Sequence, residues 1–152
     1  MEIVKATLEH LLDIEETISL DDLKEFIMFK RYIYKDSTIT LLKQLIDVSD
    51  SYPVHAMVHK GKTIAIGGEV GGCVWFITSC LLMTLSREDK REFINTMISH
   101  KNSVLEKEPF IYNYVWEENA SHIKFLKLMG AVFPDKTEDV PEHFKLFIIQ
   151  RG

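Results

Sequence analysis

Apolar and polar residues alternate from Met1 to Thr7, the period of a half-buried strand. The period then changes. Leu8, Leu11, Leu12, Ile14 and Ile18 gather near one face of a helix that Thr7 is placed to cap. Asp21 or Asp22 can open a second helix reaching Phe29, with Leu23, Phe26, Ile27 and Tyr34 as its apolar stripe. Ser37 or Thr38 opens a third, Ile39 to Val48, which the turn-forming run SDSYP ends. Pro53 to His59 and Thr63 to Val70 read as a hairpin around Gly61-Lys62. Two glycine pairs, Gly67-Gly68 and Gly71-Gly72, bracket Glu69 and predict a bulge or second turn. Cys73 to Ser79 is the most β-prone run of the chain and reads as a central strand. Ser86 caps a long helix that presents Phe93, Ile94, Met97, Ile98 and Leu105 and stops before Pro109.

The stretch FIYNYVWEENASHIKFLKLMGAVF, Phe110 to Phe133, is the most specific. It opens with an apolar, aromatic run, Phe110 to Trp116, of strand character. Asn119 stands at a helix N-terminus, and Ile123, Phe125, Leu126, Leu128 and Met129 follow at helical spacing. Gly130 sits where a helix end takes its left-handed residue. Ala131 to Phe133 begins another strand, and His143 to Gln150 closes the domain as the last. The long helix between Cys73–Ser79 and Phe110–Trp116 predicts that these two strands are adjacent and parallel.

This order resembles that of the GNAT acyltransferase superfamily, in which an Asn opens the helix after the fifth strand and a Gly ends it. The resemblance implies a single α/β domain of the α+β kind over residues 1–152, a mixed central sheet flanked by helices. It also implies acetyl-CoA as a cofactor. Family members protonate the departing thiolate with a Tyr on that helix; the matching position here is Leu126. They hold the pyrophosphate in a Gly-rich turn before the long helix, whereas no glycine lies between Ser79 and Phe93, and Glu88 and Asp89 sit at the helix start. On this reading the cofactor-binding candidates are Ser79, Ser86, Arg87, Lys90, Arg91 and Asn119.

Bulk numbers narrow the classes. With 152 residues, 46% of them hydrophobic, the chain fits one domain with its own core. A net charge of −5 argues against sequence-independent nucleic-acid binding. No apolar run reaches the length of a membrane span, and MEIVKATLEH has no signal-peptide core, which predicts a soluble, intracellular protein. Cys73 and Cys80 are expected to stay reduced.

For proton transfer the candidates are Glu69, as a base beside its glycine pair, and His122, one turn into the Asn119 helix. Their structural alternatives are a solvent-facing strand residue and a packed helix residue. Asn119 likewise reads either as a simple cap or as a site residue. The six histidines are scattered, and His55 and His59 share a strand face without converging, so their spacing predicts no metal site.

A narrower resemblance rests on AIGGEVGGCVWFITS, KREF and NYVWEENASHIKFLKLMGAVF, and runs from about Thr63 to Phe147. These segments resemble the internal virion protein A family of short-tailed coliphages. That likeness implies a binding or assembly factor in virion morphogenesis, a phage or host protein as partner, and a location in the host cytoplasm or the virion. The alternative is an acetyl-CoA-dependent N-acetyltransferase acting on a host or phage amine.

Overall fold

The computed structural model describes residues 1–152. Six strands form one mixed sheet in sequence order: β1 (Glu2–Lys5), β2 (Val54–His59), β3 (Lys62–Val70), β4 (Cys73–Thr78), β5 (Phe110–Trp116) and β6 (Phe144–Gln150). Every neighbouring pair is antiparallel except β4 and β5, which are adjacent and parallel as the crossover predicts. The five α-helices are α1 (Leu8–Thr17), α2 (Leu20–Phe29), α3 (Leu41–Ser51), α4 (Arg87–Lys107) and α5 (Ala120–Leu128).

The sheet is apolar on both faces because helices cover both. Leu11 and Ile14 of α1 and Leu41 and Leu45 of α3 pack on Val54, Ala56 and Ile66. On the other face Leu105 of α4 and Leu126 of α5 meet Ile111, Val115, Phe147 and Ile149. Phe93, also on α4, closes over Met57, Ile64 and Ala65.

Several boundaries differ from the sequence reading, each for a local reason. Ser19, not Asp21 or Asp22, caps α2, its Oγ accepting from Asp22 N–H. The helix then widens into a π-helical turn, Lys30–Tyr34, stopped by Lys35 at φ 54°. Thr40 caps α3 in place of Ser37 or Thr38; Thr38 instead donates to Asp36. Ala131–Phe133 makes only a single bridge, Val132 to Ile148. A 3₁₀ turn, Cys80–Thr84, joins β4 to α4.

The glycine pairs have separate jobs. Gly71 and Gly72, both at positive φ, form the β3–β4 turn. Gly68 makes room for the Trp75 indole, since a Cβ there would stand 2.7 Å from Nε1. The register shift of the sheet lies elsewhere, at Met57–Val58. Gly130 takes φ 91° just past α5, the left-handed position its spacing predicts.

Candidate functional site

Strands β4 and β5 pair only at Cys73 and Tyr112 and then part. Asn113 accounts for the separation. Its side-chain amide stands where the next rung of the ladder belongs, Nδ2 donating to Val74 C=O (2.8 Å) and Oδ1 accepting from Tyr114 N–H (2.7 Å). An Asn in an otherwise apolar strand is the signal that sequence reasoning passed over.

At the far end of the gap each strand presents a backbone N–H with no partner strand to take it. The acceptors come from α2. Asp22 Oδ2 accepts from Thr78 N–H (2.8 Å) and Thr78 Oγ1–H (2.6 Å), and Glu25 Oε1 accepts from Trp116 N–H (2.8 Å). Asn119, fully buried, donates Nδ2–H to Asp22 Oδ1 (3.0 Å) while its Oδ1 accepts from His122 N–H (3.2 Å). Asn119 is therefore both the cap of α5 and a member of this network. His122 Nδ1 lies 3.1 Å from the other Glu25 oxygen, Oε2, and its ring packs against Phe76. Burial opposes a charge on this imidazole, but the Glu25 hydrogen bond and the nearby Glu25 and Asp22 carboxylates raise its pKa above the usual range.

The gap forms part of a cavity of about 860 Å³ with predominantly apolar walls, among them Phe26, Trp75, Phe76 and Phe125. Of the other sequence candidates, Ser79 is buried close by; it donates to Thr17 Oγ1 and accepts from Leu81 N–H, so its hydroxyl is structural. Glu69 also lines the cavity, but its Oε1 accepts from Gly72 N–H (2.9 Å). It pairs with Val74, at the opposite end of β4 from Thr78. That places Glu69 roughly 13 Å along the strand from the His122 cluster. The two candidate proton-transfer groups are not brought together.

Nor does the rim of α4 join them. Ser86 caps the helix by accepting from Asp89 N–H, while Arg87, Lys90 and Arg91 are exposed. Asp89 meets His59 Nε2 at 3.2 Å. Leu126 is buried in the apolar layer of α5.

His55 turns instead to His100 of α4, with ring centroids 5.7 Å apart and no carboxylate within 4 Å of either ring. Burial, and then the His55 neighbour, push the His100 pKa down. A base whose folded pKa is depressed contributes stability that is complete above its unfolded pKa of about 6.5 and is lost as pH falls through the folded value. The melting midpoint should therefore drop more steeply below about pH 6.5 in the wild type than in His100→Gln. Parallel curves from scanning fluorimetry at successive pH values would overturn this.

A mixed sheet whose one parallel pair opens toward a helix N-terminus, with helices on both faces, defines a GNAT-fold domain. Solved acetyltransferases share that fold. YncA of Salmonella typhimurium, determined with its cofactor acetyl-CoA, aligns over 100% of this chain and 94% of its own, with a TM-score of 0.62 at 13% identity. Spermidine N-acetyltransferase from Vibrio cholerae, in complex with CoA and spermine, aligns over 99% and 95%, with a TM-score of 0.61 at 14% identity.

By sequence the chain belongs to the family described as "Bacteriophage T7, probable scaffold protein Gp13", whose pattern matches residues 53–137. The "Probable scaffold protein gp13" of Escherichia phage T7 is 43% identical over 93 residues. That alignment takes in 60% of this chain and 66% of the T7 protein, just under two thirds of its length. Thr78, Trp116, Asn119 and His122 fall inside the family match; Asp22 and Glu25 precede it.

Proposed function

We propose that this chain is a phage particle assembly factor of the internal virion kind, using a GNAT-like fold as a binding scaffold without acetyl transfer. The observation that carries the reading is the closure of the strand gap from within. The backbone N–H groups of Thr78 and Trp116 are already taken by Asp22 and Glu25. A ligand lying along these strands would have to displace two buried carboxylates that accept five hydrogen bonds between them. The glycine-free stretch before α4 and the buried Leu126 support the same reading. Membership of a family described by a probable scaffold protein supports the assembly role, with another phage protein or a host protein as partner. A location in the host cytoplasm or the particle follows from that role. No helix is long and apolar enough to cross a membrane.

The enzyme reading, an N-acetyltransferase acting on a host or phage amine, draws on one observation of its own. The Glu25–His122 pair faces an apolar cavity large enough for a cofactor arm. Melting curves with and without acetyl-CoA, joined to thiol release over a panel of peptide amines and polyamines, separate the two. A ligand at 100 times its dissociation constant adds roughly 2.7 kcal/mol, about 5–10 °C for a chain of this size. The expected result is no shift at millimolar acetyl-CoA and thiol release at the buffer rate. A shift of that size with turnover near 10 per second, an ordinary enzyme rate, would establish the enzyme instead.

A further inference from the structure

We propose that Asp22, Glu25 and His122 form a buried site for one first-row divalent cation, Zn²⁺ or Mn²⁺, which fastens α2 across the open ends of β4 and β5. The inference rests on this cluster alone and is independent of whether the cleft takes acetyl-CoA.

One ligand atom from each of the three residues lies within 4.8 Å of the other two. The carboxylates stand three apart on α2 and the imidazole is 97 residues away on α5, so the fold assembles the set. All three are withdrawn from solvent: Asp22 and Glu25 are each 7% exposed, and the His122 side chain 9%.

Charge is the second, independent observation. No Lys or Arg nitrogen comes within 4 Å of either carboxylate, and His122 is the one partner of opposite sign. Two carboxylates thus face a single imidazole in a largely buried position, and buried charges are normally paired or bound to metal. A divalent ion supplies the missing positive charge.

Coordinating capacity is also present. A carboxylate offers about four acceptor positions. Asp22 uses three of its own, on Thr78 N–H, Thr78 Oγ1–H and Asn119 Nδ2–H. Glu25 uses one on Trp116 N–H and one on the imidazole. The Thr78, Asn119 and Trp116 donors stay where they are and orient the carboxylates, as partners behind a metal ligand do. Bonds of about 2.1 Å place neighbouring ligand atoms about 3–3.6 Å apart. Nδ1 and Glu25 Oε2, at 3.1 Å, already meet that spacing, and Asp22, held by its three donors, joins through a water. On binding, the ion takes the Nδ1 lone pair, the Nδ1 proton leaves to solvent, and Nε2 keeps its hydrogen. One imidazole with two carboxylates suits Zn²⁺ or Mn²⁺; an all-oxygen set would suit Mg²⁺ or Ca²⁺.

The test uses the full chain, stripped with a chelator and dialysed free of it. Equilibrium dialysis against Zn²⁺, Mn²⁺ and Mg²⁺, with elemental analysis, is expected to return one Zn²⁺ or Mn²⁺ per chain and no retained Mg²⁺. The melting midpoint should rise with the retained ion. Co²⁺ should give a visible absorption band in the wild type. His122→Gln and Glu25→Gln should each lose the bound equivalent, while His55→Gln and His100→Gln keep it. Wild-type protein holding less than about a tenth of an equivalent overturns the site, whatever the variants do. So does an equivalent that survives in both His122→Gln and Glu25→Gln.

Discussion

Asp22→Ala should lower stability by about 3–5 kcal/mol, near the limit of what a single substitution costs. The carboxylate is 7% exposed and accepts from three groups. Truncation leaves the Thr78 N–H and the Asn119 amide buried without acceptors, each at a cost of about 1–3 kcal/mol, while the Thr78 hydroxyl can rotate to another partner. For a chain of this length the melting midpoint should fall by roughly 10–15 °C. Asp22→Asn keeps one oxygen and places an N–H against a donor, so it should fall between the wild type and Asp22→Ala. Urea unfolding of the three proteins measures the series. A loss under about 1 kcal/mol in Asp22→Ala would mean that α2 does not close the gap in solution.

The second large effect belongs to Phe144, at the start of β6. Its ring is fully buried and meets Phe29 edge to face, centroids 4.8 Å apart, at the end of α2. Phe144→Ala removes that contact and leaves a cavity where the layers meet, at about 3–5 kcal/mol. Phe144→Leu keeps most of the volume and should cost roughly 1.5 kcal/mol or less. Amide exchange should also quicken in the π-helical turn Lys30–Tyr34, which continues directly from Phe29. If Phe144→Ala and Phe144→Leu unfold at the same urea concentration, packing against α2 is not what Phe144 contributes.

These two residues show where reading from sequence stops. Phe144 lies inside the run His143 to Gln150 that the sequence marks as the last strand, and both faces of that strand carry buried residues, Phe144 on one and Phe147 and Ile149 on the other. Asp22 reads as a helix cap, because an acid before an apolar stripe ordinarily is one. Ser19 takes the cap instead, which moves Asp22 into the first turn and onto the face that meets β4 and β5.

Local order was legible because neighbours in the chain decide it. The hairpin around Gly61, Ser86 at the start of α4, Asn119 and Gly130 at the ends of α5, and the adjacency of β4 and β5 all depend on spacing within a few residues or one crossover. That no glycine lies between Ser79 and Phe93 and that an apolar Leu126 stands on α5 is likewise read directly from the chain. The candidate site was legible only in part. Asn119 and His122 belong to it, Ser79 is a structural neighbour, and Glu69 and the basic residues of α4 stand apart.

Its acidic half came into view only in three dimensions. Glu25 and Trp116 are 91 residues apart, and Asp22 and Asn119 are 97. Their meeting depends on Asn113 replacing a rung of the ladder, so that two strand ends open and leave backbone N–H groups for distant carboxylates to satisfy. Periodicity reports which side of an element is buried. It carries no information about which distant acceptor a buried donor finds, because that is set by how whole elements pack.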